Sequence, residues 1–301
     1  MALLQKKIDF IGFITVQKAN PNGDPLGGNQ PRTDYDNYGE ISDVCLKRKI
    51  RNRLQDMGEK IFVQSSDRAD DGCDSLKTRC EAVLGKDAQK KMGRKEFEQA
   101  ACKTWVDVRA FGQVFAFKAG KKGDDGGDTD SVSASVRGPV SVHTAVSIDP
   151  IVSSSMQITK SVNGEPTKDG RKSSDTMGMK HRVDFGVYKM QGSINVQLAE
   201  KTNFSEEDAE HIKQALVTLF ENDASAARPE GSVEMTEFYW IVHPNKTGKA
   251  SSAKIHRSVR AQRKDGVSRA RSLEDYTFDD SELKSIEGLV VEHYREGELI
   301  S

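Results

Sequence analysis

A chain of 301 residues that is 36% hydrophobic and 30% charged can bury a sizeable core, as one large domain with insertions or as two small ones. No apolar run reaches the roughly 18 residues that a membrane span needs, and Met1-Ala2-Leu3-Leu4-Gln5-Lys6-Lys7 lacks the order of a secretory signal, so a cytoplasmic protein is expected. Cys45, Cys73, Cys80 and Cys102 show no CxxC spacing; this argues against a zinc site and for free thiols in a reducing compartment, and no metal or cofactor is expected.

Residues 8–16 alternate and are rich in Ile and Phe, the pattern of a strand. Residues 20–32 are dense in Gly, Pro, Asn and Asp and must form a loop. A helix then opens at Asp43, its expected N-cap, with the stripe Leu46, Ile50, Leu54 and Met57 at helical spacing. Residues 67–102 are polar and helical in pattern, 105–117 are apolar and aromatic, and 118–131 are low in hydrophobics and expected to be mobile.

Alternation returns over 136–152, with Val140, Val142, Val146 and Ile148 as expected core positions. Residues 155–182 carry Met156-Gln157-Ile158-Thr159, an Asn163-Gly164 turn and a basic Gly/Ser stretch, which predicts an extended hairpin projecting from a sheet. One or two strands over 183–198 precede a helix capped by Ser205, with Ile212, Leu216, Leu219 and Phe220 as its buried stripe. Residues 233–242 form a strong strand. This order fits an α+β, ferredoxin-like core with insertions.

The net charge of −1 hides an asymmetry. Residues 246–271 hold nine basic residues and one acid, and 272–301 hold nine acids and two basic residues. Opposed patches suit a protein that binds a polyanion with one face and copies of itself with the other; the alternative is a solvated tail of mixed charge.

Two segments carry the binding chemistry. The loop Asn20-Pro21-Asn22-Gly23-Asp24-Pro25, then Gly28-Asn29-Gln30-Pro31-Arg32, tolerates positive φ and can lay backbone N–H groups against a phosphate; otherwise it is a tight strand-to-helix connection. The helix after it places Lys47, Arg48, Lys49, Arg51 and Arg53 within seven residues, opposite the apolar stripe at 100° per residue. Such a face gains from a polyanionic partner, the alternative being a solvated basic surface.

With Asp43-Val44-Cys45-Leu46-Lys47-Arg48, Asp107-Val108-Arg109-Ala110-Phe111-Gly112, Arg137-Gly138-Pro139-Val140, Ser147-Ile148-Asp149-Pro150 and His181 to Tyr188, these motifs form an ordered set. From residue 8 to about 245 the chain resembles the backbone subunit of type I-C CRISPR Cascade complexes, in the superfamily of repeat-associated RNA-binding (RAMP) proteins. The resemblance implies a modified RRM/ferredoxin-like palm with a helical fingers insertion and a β-hairpin thumb. The palm would comprise 1–59, 136–155 and 183–245, the fingers 60–135, the thumb 156–182 and a C-terminal extension 246–301.

It also implies copies stacked in a helical filament along one guide crRNA, held without reading its sequence, with spacer bases presented to target DNA. The other implied partners are the subunit that caps the crRNA 5′ end, the large and small subunits, and a recruited helicase-nuclease. The guide contacts implied are Asn22, Asn29, Arg32, Lys47, Arg48 and Arg51. In the thumb they are Lys160, Lys180 and Arg182, with Met177 or Met179 as a wedge beside a displaced base and His181 as a stacking group; ordinary packing is the alternative for both methionines and the histidine. Lys254, Arg257, Arg260, Arg263 and Lys264 sit near helical spacing and would touch DNA or a neighbouring subunit, or belong to a flexible basic tail. No Lys/Arg-Gly-Phe/Tyr-Gly/Ala-Phe run sets stacking aromatics on the sheet.

No nucleophile constellation stands out, so no catalytic residue is expected. Two other readings are open. A metal-dependent ribonuclease would use Asp24 or Asp34 in the loop after the first strand, and a stand-alone single-stranded RNA-binding regulator would be a monomer with sequence preference.

Overall fold

The structure is a computed structural model that describes residues 2–69, 71–116, 133–159 and 177–301. The chain opens with β1 (Ile8–Ala19), β2 (Gly23–Asp24), β3 (Gln30–Pro31), β4 (Tyr38–Ile41) and α1 (Asp43–Asp56). Next come α2 (Leu76–Leu84), α3 (Ala88–Lys91), α4 (Arg94–Thr104), α5 (Val106–Phe111), β5 (Gly112–Phe115) and β6 (Ala134–Arg137). β7 (Val140–Val142), β8 (Ala145–Pro150) and β9 (Ser153–Thr159) lead into the long β10 (Met177–Ile194). After α6 (Val196–Thr202), α7 (Glu206–Val217) and β11 (Val233–Val242), the chain ends in α8 (Ser252–Arg257), β12 (Arg260–Arg263), β13 (Tyr276–Asp279), α9 (Ser281–Lys284), β14 (Val290–Arg295) and β15 (Glu298–Leu299).

One large antiparallel sheet organises these elements in the order β15-β14-β11-β1-β10-β8-β4, with β7 and β9 also paired to β10. The molecule is α+β. β1 lies at the centre because it is apolar on both faces, and each face has its own cover. Phe10, Ile14 and Val16 meet Leu46, Ile50 and Leu54 of α1 and Ile212 and Leu216 of α7. Ile11 and Phe13, on the opposite face, pack with Tyr239 and Ile241 against Ile255, Val259, Tyr276 and Leu283. The C-terminal extension is therefore a folded layer over the sheet. A third cluster, built on Phe62, Phe97, Trp105 and Phe115, holds α2 to α5 and the β5–β6 pair together.

Two local expectations are corrected. The N-cap of α1 is Ser42, whose Oγ accepts from the Cys45 amide, and Asp43 is the first helical residue, paired to Lys47 at 3.0 Å. Val140 and Val142 are buried, but Val146 is exposed and Ile148 half-buried; the break at His143-Thr144 between β7 and β8 shifts the alternation by one, turning Ala145 and Ser147 inward instead. Ser205 caps α7 as expected, in a reciprocal box with Asp208.

Candidate nucleic-acid interface

The 20–32 loop is held from inside. Asn22 Oδ1 accepts from both the amide and the hydroxyl of Ser42 at 2.9 Å, so the loop is tied to the start of α1. Asn20 is buried and donates through Nδ2 to the Asn29 carbonyl at 2.8 Å. Gly28 and Asn29 both adopt positive φ, 66° and 63°, the conformation that Gly and Asn tolerate best. The Asp24 carboxylate accepts from the Leu26 amide at 3.3 Å and faces Arg32 at 3.4 Å. Asn29 is exposed and Arg32 half-buried, while Asn22 serves as a loop anchor.

On α1 the structure replaces the expected continuous cationic face with a set of internal pairs. Lys49 is buried against Asp223 and the Phe220 ring, and burial pulls its ammonium below the usual lysine range. Arg51 donates to Asp107 at 3.0 Å and lies over the Phe111 ring. Arg53 reaches Thr218 and Glu221, both at 2.8 Å. Arg48 donates to the Val63 carbonyl at 2.6 Å. The cause is packing: α1 meets the sheet on its apolar stripe, α7 on one flank and the α5 layer on the other. Lys47 stays partly exposed beside Asp43, with 27% of its side chain accessible.

On the projecting hairpin the described cations Lys180 and Arg182 are half-buried, and neither forms an ion pair among the described residues. β10 pairs with β1 only up to Val183, opposite Ala19, and beyond that point it pairs with β9 alone. Cross-strand partners share a face, so the register assigns Met177, Met179 and His181 to one side with Thr159, Gln157 and Ser155. Lys180 and Arg182 lie on the other side, with Met156 and Ser154. Met177 and Met179 are more than half exposed. His181 Nδ1 meets Ser155 Oγ at 2.7 Å, and Arg182 Nε donates to Ser154 Oγ at 3.3 Å. Lys160 lies outside the described residues.

Asp184 at the hairpin base collects Lys18, Arg269 and Ser154 at 2.8, 2.8 and 3.2 Å. Hydrogen bonding to Lys18, followed by Arg269, holds its carboxyl below the usual range against the upward push of burial. No local pattern marks this junction, because its members Lys18, Ser154, Asp184 and Arg269 are far apart in the chain.

The basic run after residue 246 does not form one helical row. Lys254 and Arg257 are exposed on α8, the chain turns at Ser258-Val259, and Arg260 and Arg263 continue on β12. Buried Ile255, Val259 and Ala261 impose that turn by anchoring the segment on the sheet. Arg260 pairs with Glu282 at 2.9 Å and Arg263 with Asp149 at 3.6 Å; Lys264 is exposed.

Comparison with known proteins supports a CRISPR-associated family. Residues 6–281 match the family model for CRISPR-associated protein Cas7. CRISPR-associated protein Cas7 of Haloferax volcanii is 31% identical over 207 residues, covering 65% of this chain and 58% of that relative, less than two thirds of its length. Among solved structures, a chain of a CRISPR RNA-guided surveillance complex in a pre-nicking state is similar with a TM-score of 0.45 and 16% identity, covering 79% of this chain and 78% of that one. A chain of another CRISPR RNA-guided surveillance complex gives 0.38 and 15%, covering 79% and 69%. With 276 consecutive residues under the family model, the chain belongs to the Cas7 family of CRISPR-associated proteins.

Proposed function

We propose that this protein is the repeating backbone subunit of a type I-C CRISPR surveillance complex. It binds guide crRNA without regard to sequence, assembles with copies of itself into a helical filament, and presents spacer bases for pairing with target DNA. The observation that carries the reading is the β9–β10 hairpin, which leaves the sheet with Lys180 and Arg182 on one side and exposed Met177 and Met179 on the other. Cations on one side grip phosphates, and flexible thioethers on the other fill the gap beside an unstacked base.

The order β11-β1-β10-β8 with α1 and α7 on one face supports an RRM-like palm. The separate Phe62–Phe115 core supports the 60–135 fingers, and the hairpin supports the 156–182 thumb. Because the C-terminal extension covers the second face of the sheet, bases do not stack there as they do on a standard RRM, and recognition falls to backbone and shape. Asn29, Arg32, Lys47 and Arg48 form the second grip at the base of the palm, with Asn22 and Arg51 holding that base in place. Lys254, Arg257 and Lys264, with Arg260 and Arg263 beside their acidic partners, give the extension a surface toward DNA or a neighbouring subunit. The 5′-cap, large and small subunits and a helicase-nuclease complete the partners of this reading.

The ribonuclease alternative gains no support from Asp24, whose carboxylate is spent on the Leu26 amide and Arg32. Two unrelated single-stranded RNAs of equal length, titrated by fluorescence anisotropy at three salt concentrations, test the proposal. Equal affinities that fall with salt are expected, with the number of bound copies rising with RNA length. Absence of binding at low ionic strength, or strong preference for one sequence, would overturn it.

A further inference from the structure

The chain carries two surfaces of opposite sign whose charges are not balanced from within. The first is a cleft of about 640 Å³ between α4, β6 and α6. Lys95, Arg137 and Lys201 line it and are exposed, and no ion pair ties any of them down among the described residues. The two acids of the same cleft are already neutralised from outside its lining: Glu98 by Arg94 at 2.9 Å, and Glu200 by Lys246 at 2.5 Å. The cleft therefore keeps its positive charge.

The second is a cavity of about 230 Å³ where α7 ends and β11 begins, beside the β14–β15 turn. Its walls are partly apolar, from Val217, Phe220 and Met235, and its rim carries Glu230, Glu234 and Glu296. None of these three glutamates forms an ion pair among the described residues, and the Arg295 next to Glu296 is paired to Glu237 at 2.7 Å. Burial, then the nearby Glu296, pushes the Glu234 carboxyl above its usual range. Leu299 and Ile300, both about half exposed, continue an apolar border along the same edge. No group of three or more metal-ligating side chains converges among the described residues, and an apolar-walled cavity with an acidic rim suits the stem and head of a long basic side chain.

The two surfaces sit beyond opposite ends of α7. α6, one wall of the cleft, leads into its first turn, and the acidic cavity is lined by residues 217–221 at its last. Twelve helical residues rise about 18 Å. A contact between unlike surfaces at opposite ends of one molecule is heterologous, and repetition of it gives an open stack rather than a closed dimer.

We infer that the α4–α6 cleft of one copy receives the acidic α7–β11 edge of the next, with Lys95, Arg137 and Lys201 set against Glu230, Glu234 and Glu296. This rests on the self-assembly proposed above and names its faces. It places the junction away from the hairpin cations, so stacking and RNA grip are separable.

A charge swap tests it. Arg137→Glu with Lys201→Glu makes one variant, Glu234→Lys with Glu296→Lys the other, all at exposed positions. Each is measured alone and mixed with the other, by sedimentation and by native mass spectrometry, with and without a single-stranded RNA long enough for several copies. Each variant alone is expected to bind a short, one-copy RNA like the parent yet to associate with itself about tenfold or more weakly. Mixing should restore multi-copy assemblies in which the variants alternate. Self-association unchanged in either variant, or a mixture that assembles no better than its parts, overturns the inference. Failure of the parent chain to bind any RNA would count against the proposed function instead, and RNA-free sedimentation at high protein concentration would still decide between the faces.

Discussion

Asp9 Oδ2 and His243 Nε2 meet at 2.7 Å with both side chains fully shielded from solvent. The pair joins β1 to the residue after β11, and Lys7 at 3.1 Å and His256 at 3.7 Å complete the cluster. Burial alone would push the Asp9 carboxyl up, but hydrogen bonds from His243 and Ser252, with Lys7, hold it below the ordinary value. The His243 Nδ1 accepts from the Lys249 amide, so removing the Asp9 carboxylate strands the buried Nε2–H donor and the Lys7 ammonium. Loss of one partner of a buried charged pair costs about 3–5 kcal/mol. Asp9→Ala should lower the thermal midpoint by many degrees, read by circular dichroism, while the surface change Glu287→Ala should leave it unmoved.

Arg51 and Lys47 separate structure from binding on α1. Asp107, 1% exposed, takes Arg51 and the amides of Phe62 and Val63 at once. Arg51→Glu should destabilise the fold by about 3–5 kcal/mol, visible as a lower urea midpoint. Lys47→Glu should leave stability within about 0.5 kcal/mol and weaken RNA binding. A midpoint that stays put in Arg51→Glu would show that the pair is not holding α5 to α1.

The two sides of the hairpin should behave differently in salt titrations. Lys180→Ala and Arg182→Ala should each reduce the salt dependence of RNA affinity by about one phosphate contact. Met177→Ala with Met179→Ala should leave that slope unchanged, and any loss of affinity should be equal at low and high salt. Identical slopes in all the variants would mean that the cations do not touch phosphate.

Lys189 gives a pH signature. Its ammonium donates to the carbonyls of His256 at 2.5 Å and Val259 at 2.7 Å, and burial brings its pKa down to about 8. The folded state then binds this proton less tightly than the unfolded chain, so the penalty is complete below about pH 8 and is relieved as pH rises toward the ordinary lysine value of 10.5. Urea midpoints of the parent, measured relative to Lys189→Met, should rise between pH 7.5 and 9.5. A constant difference would show that the group titrates normally.

The core was legible in the sequence where a periodic pattern met a uniform environment. Leu46, Ile50 and Leu54 on α1, Ile212 and Leu216 on α7, and the Ser205 cap all follow from local spacing. The fate of the α1 cations was not legible: Asp107 and Asp223 are 56 and 174 positions away from their partners, and a helical wheel carries no information about its flanks. The C-terminal cover was hidden for a related reason. Ile255, Val259, Ala261, Tyr276 and Leu283 are spread over short elements with no shared period, inside a run whose composition reads as solvated. Period two over 177–183 was enough to divide methionines from cations, but the environment of each side depends on the partner strand β9, whose register a single strand's pattern does not carry.

The layer that closes the second side of the sheet also sets an order of events during synthesis. Ile11 and Phe13 leave the ribosome early, yet the groups that shelter them, Ile255 through Leu283, emerge some 240 residues later. At about 5–20 residues per second the nascent chain carries an open oily strip for roughly 12–50 s. Production in the cell should therefore respond more to chaperone supply and growth temperature than the finished protein's own stability would suggest.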